Sequence, residues 1–211
     1  MTPRKRPGRI HLVSSPKQLA AMASPIRQEI IDGLGATGPQ SIAEMAHLLG
    51  RSPHSLYPHV RALEKVGLAL RQGSRRAGRR DEALYAAPGR RVGIRYDLRS
   101  PAFVRNMKPI AASMLRLTQR DFERRLQDPD ATLTLPRVNL WAARMKGRLT
   151  LAQAREVNRL MRKLMHLVCN HPRQTQGDLH ALTMVIVPLI DGSRKNRRAA
   201  RQHNPRRRVP P

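Results

Sequence analysis

S-I-A-E-M-A-H-L-L-G-R-S-P-H-S-L-Y-P-H-V-R-A-L-E-K-V-G-L, residues 41–68, is the stretch whose reading decides the fold. Ser41 and Glu44 have capping-box spacing, in which each side chain satisfies an orphan backbone N–H at a helix start. Ile42, Met45, Ala46 and Leu49 then recur at helical period. Gly50 ends that helix, since glycine takes the left-handed conformation without steric penalty. Ser52 is the next N-cap and Pro53 stands at the first helical position, where its missing N–H costs nothing. Leu56, Val60 and Leu63 share one face of the second helix, with Gly67 on the same side near its end. His54, Pro58, Arg61 and Lys65 fall on the opposite face. A capped helix, a glycine turn and a second helix that is apolar behind and basic in front predict a helix-turn-helix, whose front face suits a DNA major groove.

The chain around it has 211 residues, enough for one moderate domain or two small ones. Aromatic residues make up only 3%, so the core must come from Leu, Ile, Val, Met and Ala. Forty-one Lys and Arg face 14 Asp and Glu, a formal net charge of +27. Four of the basic residues lie within 1–9 and eight within 192–211, with no acid in either segment. Residues 10–191 keep 29 basic against 14 acidic side chains, so the body itself favours a polyanionic partner. Charge alone does not separate DNA from RNA or an anionic membrane.

Cys169 is the single cysteine, which excludes an intramolecular disulfide and fits a reducing cytoplasm. No apolar run approaches the roughly 20 residues that span a bilayer, and the basic N-terminus leads into no secretory signal. No glycine-rich phosphate loop or nucleophile elbow is present, and the few carboxylates stand beside arginines. The expectation is therefore no enzyme, no cofactor and no membrane.

Taken in order, residues 1–15 are expected to be a disordered basic arm. Two short helices follow within 16–34, the second capped by Ser24 and opened by Pro25. After Gly67, residues 68–72 and 83–86 read as strands of a hairpin whose tip carries Arg75, Arg76, Arg79 and Arg80. A hairpin directly after a recognition helix is a wing, and its arginines suit phosphate or an adjacent minor groove; a solvated charged loop is the plainer alternative.

The segments 19–34 and 41–68, with the hairpin ending in Tyr85, resemble the ArsR-type winged helix-turn-helix of bacterial transcription regulators. The resemblance spans about residues 17–88. It implies a homodimeric repressor on a pseudo-palindromic operator, in many relatives released by a metal or another signal. Two departures matter. The Cys-x-Cys of the thiolate metal sensors is missing from M-A-H-L-L-G at 45–50, which excludes that mode of sensing. Pro58 lies inside the recognition helix and cannot donate to the carbonyl of His54, so a bend is expected there.

Beyond a linker that starts at 89, with an extended piece at Val92–Tyr96, a long helix is predicted from Ser100-Pro101 to Asp128-Pro129. Its apolar stripe holds Phe103, Met107, Ile110, Met114, Leu117, Phe122 and Leu126. The stripe suits either the subunit's own core or a dimer partner. Residues 130–191 are expected to form a small strand–helix–strand domain for dimerisation or effector binding. Its strands fall at 138–143 and 180–190. Its helix starts at the Thr150/Gln153 capping box and points Leu151, Ala154, Val157, Leu160, Met161, Leu164 and Val168 inward. Residues 192–211 are expected to be a disordered basic tail. The fold expected is thus α+β and mostly helical: a winged helix-turn-helix over 16–88, a linker and long helix over 89–129, and the small C-terminal domain.

The expected DNA contacts are Ser52, His54, Ser55, His59, Arg61 and Lys65 with the four hairpin arginines. Arg61 suits either a guanine edge or a phosphate, Lys65 a phosphate, and His59 either DNA or the edge of the core. His166, Cys169 and His171 form H-x-x-C-x-H, with His180 further on, but a metal site needs three or four convergent ligands and nothing in the sequence makes these converge. The expectation is no metal. Trp141 is more simply core than pocket lining. The partner expected is double-stranded DNA bound by a homodimer, the effector being unassigned. The competing expectation is a non-specific RNA-binding or nucleoid-coating protein.

Overall fold

The computed structural model describes residues 10–78, 80–132, 139–169 and 178–189. The elements run β1 (Ile10–Val13), α1 (Pro16–Met22), α2 (Pro25–Thr37), α3 (Ile42–Leu49), α4 (Pro53–Lys65), β2 (Leu70–Ala77), β3 (Arg80–Ala86), β4 (Arg91–Ile94), α5 (Pro101–Leu126) and α6 (Leu151–Cys169). The architecture is mixed α+β and mostly helical, with a winged helix-turn-helix followed by a long helix.

Local chemistry accounts for the helix ends. The hydroxyl of Ser41 accepts the Glu44 N–H at 3.3 Å while the Glu44 carboxylate accepts the Ser41 N–H at 2.9 Å, closing the capping box. Gly50 takes φ 60°, ψ 42° and ends α3. Ser15 and Ser100 cap α1 and α5 through their hydroxyls. Ser24 occupies the N-cap position of α2 but makes no side-chain cap bond, so Pro25 alone carries that start. α2 also runs three residues past Leu34, to Thr37.

One core joins these pieces. Val13, Leu19, Ile30, Ile31, Leu34, Met45, Leu56, Val60, Leu63, Leu68, Phe103 and Ile110 are all buried in it. The N-terminal half of α5 packs on α1 and α2, and Gln28 stitches the contact: its buried amide donates to Met22 O at 2.6 Å and to Ile110 O at 3.2 Å. Of the stripe foreseen for α5, Phe103 and Ile110 are buried in the subunit's own core, whereas Leu126 is exposed.

Gly35 sits inside α2 for a tertiary reason. A Cβ there would lie 2.9 Å from the carbonyl oxygen of Arg90, just before β4. Gly35→Ala is therefore expected to destabilise by about 1–3 kcal/mol through overpacking, read as a lowered urea midpoint at unchanged slope. An unchanged midpoint would mean that this loop is not held against α2.

Several expectations are corrected. Residues 10–15 are not disordered: β1 pairs in parallel with β4, Val13 against Ile94, and Val13 is fully buried. The I-H-L-V at 10–13, after the basic residues, supplies that strand. Residues 1–9 lie outside the described set. The hairpin is longer than foreseen, because β2 and β3 pair from Leu70↔Ala86 out to Ala77↔Arg80, across an irregularity at Gln72 and Gly73. Leu68 and Ala69 are buried before the strand begins. Lastly, no strand forms at 139–143 or 180–189, so the expected strand–helix–strand unit is not built from the described residues. α6 begins at the Thr150/Gln153 capping box as foreseen, but none of its residues is buried; Leu151, Leu160, Leu164 and Val168 are exposed rather than inward. Trp141 is likewise 80% exposed, not core. Apolar content alone made these segments look like core; a strand also needs an edge to pair with.

Candidate nucleic-acid interface

The recognition helix α4 presents what its sequence foretold. Leu56, Val60 and Leu63 are fully buried behind it, while His54, Ser55, Arg61 and Lys65 are exposed in front. The helix continues through Pro58 from 53 to 65. The His54 carbonyl that Pro58 cannot serve stands on the exposed side, where water can take its place.

The serines at its start are already occupied. The Ser52 hydroxyl accepts the Ser55 N–H at 3.4 Å, and the Ser55 hydroxyl donates to the Ser52 carbonyl at 2.7 Å. Ser52 thus caps the helix: Pro53 has no N–H to satisfy, and the Ser55 N–H is held by Ser52. His59 is half-buried beside α2. Burial, then the cations Arg27 and Arg51, push its imidazole below the usual histidine range. Its position is the edge of the core.

Two further exposed residues, one on α4 and one on the hairpin, escaped the sequence reading. Tyr57 is 48% exposed, one turn after His54 and one turn before Arg61. The i, i+3 and i, i+4 spacing with those residues was a usable signal. Arg71 is exposed on β2.

The wing arginines divide. Arg75 does not stand free: its guanidinium donates to the Glu44 carboxylate at 2.6 Å, on the oxygen that the capping box leaves open. Glu44 therefore does two tasks, closing the start of α3 and tying the wing to it. Arg76 is exposed beyond it, and its Nε donates to the Gly78 carbonyl at 3.4 Å. Arg79 lies outside the described residues, and Arg80 is placed by its backbone in β3. The wing also leans on Gln40, which exchanges backbone bonds with Tyr85 at 2.9 and 2.8 Å.

The bond to Arg75, with the Ser41 N–H next, holds the Glu44 carboxyl below the usual glutamate range. A depressed folded-state value stabilises above the unfolded one and is lost as pH falls through it. The wing clamp is thus complete at neutral pH and is lost only as pH falls below the usual glutamate range. Glu44→Gln keeps an N3 cap but removes the charge. Amide hydrogen exchange in β2 and β3 is expected to speed up in that variant at pH 7. Equal exchange in the two proteins at pH 7 would show that the ion pair does not hold the wing.

Arg51, in the turn between α3 and α4, is fixed from behind. It donates to Glu29 of α2 at 3.1 Å, and the other Glu29 oxygen accepts from Arg120 of α5. Asp121 also binds Arg120, at 2.6 Å. The bond to Glu29, then that to Asp121, raises the Arg120 pKa above its ordinary value. A carboxylate with 11% of its side chain exposed thus joins the helix-turn-helix turn to the long helix.

Among the described residues no group of three or more His, Cys, Asp or Glu is arranged to hold a metal. His166 and His180 are exposed, Cys169 is half-buried, and His171 lies outside the described set. No helix among those residues is long and apolar enough to cross a membrane.

Residues 22–72 match the family described as a helix-turn-helix domain. No curated protein matches the chain. Among solved structures it is similar to one titled disulfide-formed AbfR, with 14% identity, 68% of this chain and 70% of that chain covered, and a TM-score of 0.27. It is also similar to a probable transcriptional regulator from Pseudomonas aeruginosa, with 17% identity, 70% and 88% covered, and a TM-score of 0.29.

Proposed function

With a helix-turn-helix domain at 22–72 as the premise, we propose that this chain is a cytoplasmic, sequence-specific DNA-binding transcription regulator of the ArsR type. It acts as a homodimeric repressor on a pseudo-palindromic operator. The observation that carries this reading is the front of α4: a solvent-facing row of His54, Tyr57, Arg61 and Lys65 on a helix whose back is locked into the core. The exposed Arg76 stands on the neighbouring wing. Two such helices enter successive major grooves about 34–36 Å apart. Base edges are read from α4, and the wings hold flanking phosphates. The activity is equilibrium binding, with no bond made or broken, and it calls for no cofactor.

The test is a competition between operator and random duplex of equal length, monitored by fluorescence anisotropy. The operator is first selected from the genome by recovering bound fragments. Specific DNA is expected to win by roughly 10³ or more. Equal affinity for both, or preference for RNA, would sink the reading in favour of a charge-driven coating protein.

A further inference from the structure

α6 is a 19-residue helix with no buried residue. An isolated helix of this length is marginal in water unless an apolar face is covered. At about 100° per residue, Val157, Leu160, Met161, Leu164, Met165 and Val168 share one arc. Leu160 and Leu164 are each 44% exposed and Val168 is 51% exposed. Val157, Met161 and Met165 are half-buried, and among the described residues a polar contact reaches this arc from Arg91 Nη1 to Met165 Sδ at 3.5 Å. The opposite arc is basic: Arg155, Arg159, Arg162 and His166.

The charges beside the arc say what covers it. Glu156 is the only acid of α6, and Lys163 stands seven residues on, so both lie on the same flank of the arc. They are also placed symmetrically about the middle of the helix. We infer that the apolar face of α6 is covered by the α6 of a second copy, crossing antiparallel about that midpoint. Each Glu156 then meets the partner's Lys163, and each Lys163 meets the partner's Glu156. A parallel pair would set this flank against the other one, which carries Asn158 beyond Met165, and give neither charge a partner. An anionic lipid surface would suit the basic arc, but it would repel Glu156. Within its own chain Glu156 binds Arg159 at 2.6 and 2.8 Å, an exposed i, i+3 pair of the weak kind that exchanges readily for an interhelical one.

This inference rests on the homodimer reading above, and a charge swap separates the two. The full chain is compared with E156K, K163E and the double variant by sedimentation across the micromolar range, with helicity followed by circular dichroism. The parent is expected to be a dimer. Each single variant sets two like-charge pairs across the interface and raises the dimer Kd about tenfold. The double variant restores both pairs with their signs exchanged and returns the Kd to near the parent value. A dimer that ignores the single variants, or a double variant as weak as the singles combined, overturns the α6 pairing and leaves the homodimer standing. A parent that is monomeric throughout overturns both. Monomers that gather on vesicles of anionic lipid overturn the pairing in favour of a membrane surface.

Discussion

Leu63→Ala is expected to lower the unfolding free energy by about 2–5 kcal/mol, the range for emptying a fully buried leucine site. Leu63 has no exposed surface, lies in the shared core, and belongs to the last turn of α4. Its carbonyl also gathers the N–H groups of Val66, Leu68 and Ala69, so the chain turns into the wing around this residue. Domains of this size hold about 5–15 kcal/mol in all, so the variant should sit close to the edge of folding. Urea melts of Leu63→Ala and of Lys65→Ala check this. The exposed lysine is expected to change stability by no more than about 0.5 kcal/mol. If both variants melt alike, α4 does not have its apolar side in the core and the assignment of its front face fails with it.

Arg61→Ala is expected to weaken operator binding by about 1–3 kcal/mol while leaving the melting curve in place, because the side chain is exposed. The form of the loss tells what Arg61 touches. Loss of a guanine contact relaxes preference at one base pair and leaves the salt dependence nearly intact. Loss of a phosphate contact weakens all sequences alike and lowers the slope of log K against log salt by about one. Arg76→Ala on the wing is expected to show the second pattern. Unchanged affinity in Arg61→Ala, measured on the selected operator at two salt concentrations, would take α4 out of the interface.

Much of the interface domain could be read from residues 41–68 because its signals are local. A capping box needs residues three apart, and a left-handed turn needs one glycine. The buried row Leu56, Val60 and Leu63 needs only the helical period. The same logic located the ends of α5 and the start of α6. It failed where the outcome depended on a distant partner. The hairpin grew because β2 and β3 found each other across the tip. The apolar run at 180–189, by contrast, found no strand to pair with among the described residues, whatever its composition. His59 was open between DNA and core, since a helix period places a flank residue on neither side; the fold leaves it half-buried, near Arg27 of α2.

The amino-acid order by itself determined that a helix, a turn and a second helix with a basic front would form at 41–68, because each of those choices is settled within a few residues. Only the tertiary structure decided which charges remain free to meet a polyanion. Arg75 is drawn to Glu44 across 31 positions, Arg51 and Arg120 converge on Glu29, and Gln28 ties α2 to the carbonyl of Ile110. Those unions depend on folding to bring remote side chains within hydrogen-bond reach, and a Coulomb attraction that short in range leaves no periodic trace along the chain.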